Sequence, residues 1–187
     1  MRIVAGKYSG RSLVTPSGDA IRPTTDRTRE SLFNILASRQ NNFWHNRRVL
    51  DLFSGTGALG IEALSRGAEA AVFVEHSVEG RALIHKNIEA IGLQGVARIL
   101  RRDATRLGPI GTMKPFDSVF ADPPYNRGLA EKALISALEG GWLLPNTTLI
   151  IEESCEASLN LPEIFFLDDV RHYGGTIIRI YTLKDDQ

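Results

Sequence analysis

The sequence predicts an α/β protein built on a doubly wound, mostly parallel sheet. Three observations carry that reading. From Arg47 onward, short apolar runs alternate with helical segments. A glycine-rich loop joins the first of these runs to the helix that follows it, and the chain ends in two apolar runs around Tyr173-Gly174-Gly175. Alternation of this kind gives parallel strands joined by crossover helices, and a tight glycine turn gives an antiparallel hairpin at one edge.

The elements follow in order. Residues 2–5 and 12–15 read as short strands around Tyr8-Ser9-Gly10, a small hairpin. Pro16, Gly18 and Pro23 punctuate a linker. A helix then starts near Thr24–Asp26, where Thr or Asp can cap it, and runs to about Arg39 on the apolar stripe Leu32, Phe33, Ile35 and Leu36. Strands are expected at Val49–Phe53, Ala70–Glu75, Ala97–Arg101, Phe116–Ala121 and Thr147–Glu152. Helices are expected over Ala58–Arg66, from the cap Ser77 to Gly92, and over Gly128–Leu138. The last two strands, about Ile164–Arg171 and Thr176–Leu183, bring the sheet to seven. Residues 1–45 thus form an N-terminal hairpin and helix extension, and residues 46–187 the main α/β domain.

Composition narrows the class. A chain of 187 residues with 43% hydrophobic and 24% charged side chains is an ordinary globular domain, large enough to fold without a disulfide or metal staple. Cys155 is the lone cysteine, expected as a small buried apolar side chain, and it suits a reducing compartment. No apolar run reaches membrane-spanning length and the first residues lack a signal core, so a cytoplasmic location is expected. His45, His76, His85 and His172 lack metal-ligand spacing, so no metal is expected.

Formal net charge is zero, but the charge is unevenly placed. Residues 1–48 hold nine Lys/Arg against three Asp/Glu, and residues 139–187 hold three against nine. Arg outnumbers Lys seventeen to five, which favours planar, bidentate contact with phosphate. The basic end hints at nucleic acid; uneven solvated surface would look the same.

The first sheet strand ends in Asp51-Leu-Phe-Ser-Gly55-Thr-Gly57-Ala-Leu-Gly60, with Glu75 twenty residues after Gly55. Gly55, Gly57 and Gly60 let the backbone turn tightly against a ligand, and Glu75 can bond a ribose diol. A dinucleotide would set its pyrophosphate on this loop, where the Asp51 carboxylate repels it. S-adenosylmethionine carries an ammonium and a sulfonium and no phosphate, so Asp51 favours that ligand. Asp103, just past the third strand, is placed to reach the adenine amine.

The fourth strand ends in Asp122-Pro123-Pro124-Tyr125. Two prolines stiffen the backbone and remove two amide donors, leaving carbonyls. The Asp122 carboxylate and the Pro123 carbonyl suit the two hydrogens of a planar exocyclic amine, and the Tyr125 ring can stack on its base. In a doubly wound sheet the ends of strands one and four flank the ligand crevice, so the two motifs face each other.

These residues resemble a known family. The glycine loop and the Asp-Pro-Pro-Tyr step are similar to the two signatures of class I S-adenosylmethionine-dependent amino-methyltransferases, which have a Rossmann-like sheet. Arg2-Ile-Val-Ala-Gly6, Gly10-Arg11-Ser-Leu13 and the block Arg22–Asn34 resemble the N-terminal signature of the RsmD family. Val74-Glu75, Asn87, the Arg102-Asp103-Ala104 step and the terminal hairpin extend the likeness. The family methylates the N2 amine of a guanine in bacterial 16S ribosomal RNA.

The resemblance implies that Asp122, Pro123, Pro124 and Tyr125 are catalytic. It implies that S-adenosylmethionine is held by Asp51, Phe53, Ser54, Gly55, Thr56, Gly57, Glu75, His76, Asp103, Ala104 and Asp122, with Thr25 and Arg29 closing over its methionine end. Arg2, Lys7, Arg11, Arg22 and Arg27 are implied in RNA binding. The partner implied is ribosomal RNA, within a small-subunit particle, for a monomeric enzyme. Alternatives are another enzyme with the same tetrapeptide (DNA adenine or protein glutamine methylation), a nicotinamide-dependent oxidoreductase and a non-catalytic RNA-binding module.

Overall fold

A computed structural model describes residues 1–17, 25–125 and 127–185. The strands are β1 (Arg48–Leu52), β2 (Ala70–Val74), β3 (Ala97–Leu100), β4 (Phe116–Ala121), β5 (Leu143–Ser154), β6 (Phe165–Tyr173) and β7 (Thr176–Leu183). The helices are α1 (Asp26–Arg39), α2 (Ala58–Ser65), α3 (Val78–Ile91) and α4 (Leu129–Glu139), with a 3₁₀ turn at Ala104–Arg106. The seven strands lie in one sheet in the order β3-β2-β1-β4-β5-β7-β6. β1 to β5 run parallel; β7 enters between β5 and β6 and is antiparallel to both.

Alternation along the strands fills both faces of the sheet. Val49 of β1, Phe73 of β2 and Phe120 of β4 share one core with α1, α2 and α3. Leu50, Val72 and Val119, each one position away, pack into the other with Ala133 and Leu134 of α4. The order reverses between β1 and β4, and this is the place where an open α/β sheet leaves a crevice beyond its strand ends.

The helix caps have simple causes. The Thr25 hydroxyl accepts from the Thr28 amide at 3.2 Å and starts α1. Ser77 caps α3 through the Gly80 amide at 3.0 Å, and Gly92, at φ +82°, closes it. The N-terminal hairpin is shorter than expected: a single bridge, Arg2 to Ser12, replaces two strands. Its backbone bonds instead to helix side chains. The Glu62 carboxylate of α2 accepts from the Val4 and Ala5 amides at 2.8 and 3.0 Å. The buried Asn87 of α3 accepts from the Val14 amide at 2.7 Å and donates to the Val14 and Thr56 carbonyls at 3.1 and 3.0 Å. β5 begins earlier than expected, at Leu143, and is irregularly paired with β4 between Phe116 and Ser118.

The described residues of the 1–45 segment therefore pack into the sheet's own core. Ile3, Leu13, Leu32, Phe33, Leu36, Phe43 and Trp44 are all buried in the cluster that holds Val49 and Phe73. The Phe33, Trp44 and Phe120 rings meet at centroid distances of 5.0–5.6 Å. Cys155 corrects one expectation: it is exposed, with its sulfur 3.5 Å from the Gly174 carbonyl, because the chain turns out to the surface after β5.

Candidate active site

The strand ends of β1, β2, β4 and β5 and the N-terminus of α1 enclose a cleft of about 560 Å³. That lies within the roughly 300–1,000 Å³ of small-molecule sites.

On the β1–β2 side the backbone and two carboxylates shape one another. Asp51 is 1% exposed and accepts from the Gly60 amide at 3.0 Å. Burial pushes its carboxyl well above the ordinary carboxylate range, the Gly60 bond opposes this, and nearby Glu75 adds to it. The Glu75 carboxylate accepts from the Gly55 amide at 3.0 Å and from the Ser77 amide at 2.8 Å. Ser54 donates to the Asp51 carbonyl at 2.5 Å, and Phe53 bends at φ +56°, a strained turn for a residue with a side chain.

Two glycines are dictated by these contacts. A Cβ on Gly60 would collide with the Phe73 ring and approach Asp51 Oδ2 at 3.1 Å. A Cβ on Gly80 would lie 2.6 Å from Glu75 Cγ and 2.7 Å from Ser77 Oγ. Gly60 belongs to the legible loop motif. Gly80 does not, and no spacing rule points to it.

The β4 side is built from side chains distant in sequence. Pro123 is buried, Pro124 exposed, and Asp122 and Tyr125 half-buried. The Tyr125 hydroxyl donates to Glu152 Oε1 at 3.1 Å and lies 3.1 Å from Thr176 Oγ1. Burial, with Glu152 and Asp122 close by, pushes this phenol up to about 12 against the Thr176 bond. Glu152, Tyr173 and Thr176 all line the cleft, yet nothing in their sequence spacing singles them out. Tyr173 also meets Ser31 of α1, hydroxyl to hydroxyl, at 2.8 Å, so the terminal hairpin and α1 touch at the cleft's edge.

Most of the expected cofactor residues meet here. Thr25, Arg29, Asp51, Phe53, Ser54 and Gly55 line the cleft, as do Thr56, Glu75, His76, Ala104 and Asp122. Gly57 and Asp103 are not among the lining residues. Gly57, at φ +80°, makes the turn into α2. Asp103 caps the 3₁₀ turn, accepting from the Thr105 amide and hydroxyl at 2.9 and 2.7 Å, and these bonds hold its carboxyl below the usual range. Arg29 is fully buried; it donates to the Arg2 carbonyl and Asp26 and lies 3.7 Å from Glu62. His76 is exposed beside Glu75.

Four of the expected RNA-binding side chains are described, and none of them is in the cleft lining. Arg2, Lys7, Arg11 and Arg27 are exposed, and Arg22 lies outside the described residues. Lys7 and Arg11 both stand over the Tyr8 ring, at 5.3 and 5.4 Å, and Arg11 donates to the Ile91 carbonyl at 3.2 Å.

The site fits S-adenosylmethionine. Each Glu75 oxygen accepts one backbone bond and, as a carboxylate oxygen, can accept a second, which matches a pair of ribose hydroxyls. Asp51, buried and held high, is suited to a cationic ammonium. The side chains do not match a pyrophosphate.

Comparison with known proteins decides the family. Residues 1–182 match the family described as conserved hypothetical protein 95. The Ribosomal RNA small subunit methyltransferase D of Escherichia coli K12 is 36% identical over 97% of this chain and 89% of its own. The chain belongs to this methyltransferase D family. A putative rRNA methyltransferase of Bacillus subtilis, YlbH, is 34% identical over 97% of this chain and 98% of its own. Among solved structures, the putative methyltransferase yhhF of E. coli superposes with a TM-score of 0.83 at 34% identity, covering 98% of both chains. An RNA methyltransferase of Salinibacter ruber, solved with S-adenosyl-L-homocysteine, shares the fold at a TM-score of 0.66 and 15% identity, covering 89% of this chain and 96% of its own.

Proposed function

We propose that this family member transfers a methyl group from S-adenosylmethionine to the exocyclic N2 amine of a guanine in bacterial 16S ribosomal RNA. The enzyme acts as a cytoplasmic monomer on RNA within a small-subunit particle. The observation that carries the reading is the meeting of the glycine loop and the Asp122–Tyr125 step across one cleft. The names of the curated relatives support ribosomal RNA as the substrate class.

When bound, S-adenosylmethionine supplies an electrophilic methyl group on a sulfonium. The chain's work is to hold and align. Glu75 fixes the ribose, Asp51 the ammonium, and the bent Phe53–Thr56 backbone the rest of the cofactor's length. The Asp122 carboxylate and the Pro123 carbonyl accept the two N2 hydrogens, which turns the nitrogen lone pair out of conjugation with the ring. Asp122 then holds the proton that the amine releases on methylation. Tyr125 stacks on the base, a contact worth about 1–3 kcal/mol, which offsets the few kcal/mol of extruding a guanine from its stack. Collinear placement of the two reacting groups supplies much of the acceleration. Arg2, Lys7, Arg11, Arg22 and Arg27 of the N-terminal extension, residues 1–45, engage phosphate.

The test supplies labelled S-adenosylmethionine with small-subunit particles lacking the modification, followed by mapping of the methylated nucleotide. Label on one guanine N2 is expected. Label on an adenine amine or on protein, or binding of NADH in place of S-adenosylmethionine, overturns the proposal.

A further inference from the structure

We propose that Glu152 accepts the N1–H of the target guanine and so selects guanine over adenine. The inference builds on the function proposed above, which leaves the choice between the two purine amines unexplained.

Glu152 sits at the carboxyl end of β5, 8% exposed and lining the cleft. Ala121, the last residue of β4, is in register with Ile151 of β5 on a strand roughly 4.8 Å away, so Asp122 and Glu152 each follow a paired residue, and both line the cleft. Two carboxylates on one wall of the cleft make that wall acceptor-rich, which suits a ligand edge that presents several hydrogens. Guanine offers such an edge. Its Watson–Crick edge presents the N2 amine and N1–H next to each other, three hydrogens in a row. Adenine presents its N6 amine beside an N1 lone pair, which a carboxylate repels.

The Tyr125 hydroxyl reaches Glu152 Oε1 at 3.1 Å, so the carboxylate lies off the outer end of the ring on which the base stacks. A base whose amine is held by Asp122 and Pro123 turns its next edge atom toward that end. A carboxylate offers about four acceptor sites, so accepting from Tyr125 is compatible with accepting from N1–H.

The rival role for Glu152 is to position Tyr125 alone, and one substrate pair separates the two. Ligated ribosomal RNA carries either guanine or 2-aminopurine at the mapped position; 2-aminopurine keeps the N2 amine and lacks N1–H. The wild-type enzyme is expected to prefer guanine by at least about 10–100-fold in kcat/KM, the worth of a hydrogen bond to a charged group. Glu152→Gln should lose about that factor on guanine and stay within about threefold on 2-aminopurine, so the preference collapses. Equal losses on both bases, or no loss on either, overturn the inference. Calorimetric S-adenosylmethionine affinity equal to wild type shows that the variant is folded. Should Glu152→Gln fail to fold, Glu152→Asp, which keeps the charge and withdraws it by one methylene, must show the same guanine-specific loss. Methylation of an adenine by the wild-type enzyme sinks the functional reading itself, a result distinct from any of these.

Discussion

The two halves of the cleft solve the same problem by different means. On the β1–β2 side the carboxylates of Asp51 and Glu75 are fixed by backbone amides of the loop and helix starts around them: Gly60, Gly55 and Ser77. On the β4–β5–β7 side Tyr125 is fixed by Glu152 and Thr176, side chains 27 and 51 residues away. The first half is held by backbone donors, all within residues 51–77. The second is assembled only when the sheet is complete. A binding half built locally holds a constant ligand, whereas a half built from distant side chains can be retuned to another base without disturbing the first.

Asp122→Ala gives the largest expected effect and tests that division most directly. It should lower methyl transfer about 10²–10³-fold, the scale of losing a preorganised acceptor in an active site. S-adenosylmethionine affinity, read by calorimetry, should stay within about threefold. An active variant, or one that loses cofactor affinity in parallel, would make the two halves a single unit.

Gly80→Ala is the mirror experiment. The added Cβ lies 2.6 Å from Glu75 Cγ and 2.7 Å from Ser77 Oγ, so either Glu75 or the start of α3 must move. Overpacking of this kind costs about 1–3 kcal/mol. Cofactor affinity should fall roughly 10-fold or more while RNA affinity is unchanged. Normal cofactor binding would show that Glu75 need not stand where its backbone bonds put it.

The same contrast explains what could be read in advance. The strand–helix alternation, the caps Thr25 and Ser77, the Gly92 stop and the terminal hairpin follow from local chemistry, and β4 and β7 begin and end where the apolar runs do. Asp51 and Glu75 were legible because the loop's glycines and a twenty-residue interval mark them. Glu152, Tyr173 and Thr176 were not, because their place in the cleft depends on β7 inserting between β5 and β6. Gly80 was hidden for a related reason: the clash that excludes a side chain there involves Glu75, which lies just beyond the end of a different element, β2. Asp103 follows β3 as its place in the sequence predicts, and Thr105 bonds to one of its oxygens, Oδ1, as the cap of the 3₁₀ turn.

A smaller effect separates stability from binding on the β1 side. Burial raises the Asp51 carboxyl in the folded chain, so between the unfolded value of about 4 and the raised folded value the folded state binds more protons. Stability therefore falls as pH rises through that window and stays lower above it. Asp51→Asn removes the penalty and can still accept from the Gly60 amide. Its melting temperature should exceed that of the wild type by a margin that grows as pH rises above about 4. Its S-adenosylmethionine affinity should drop roughly 10-fold, the loss of a charge-assisted bond. A variant that is less stable at neutral pH would mean that the buried carboxylate has a cation within the fold already.

The smallest expected effect concerns the charge asymmetry. Part of it is internal. Arg29 is buried near Glu62, and Arg39 of the basic end pairs with Asp169 of the acidic end at 3.0 Å, holding α1 against β6. Glu152 and Glu153 are buried, so they contribute little to the surface of the acidic end. What remains outward on the basic end includes Arg2, Lys7, Arg11 and Arg27. If those side chains meet phosphate, replacing Lys7 and Arg27 with Glu removes two contacts, and the slope of log affinity against log salt should shrink by about 1.4 for single-stranded RNA. Affinity falls at low salt and differs little at high salt, and activity with a saturating short substrate is kept, since neither residue lines the cleft. An unchanged slope would assign the recognition of RNA to the cleft itself. The uneven charge would then be a by-product of where α1 and β6 needed partners.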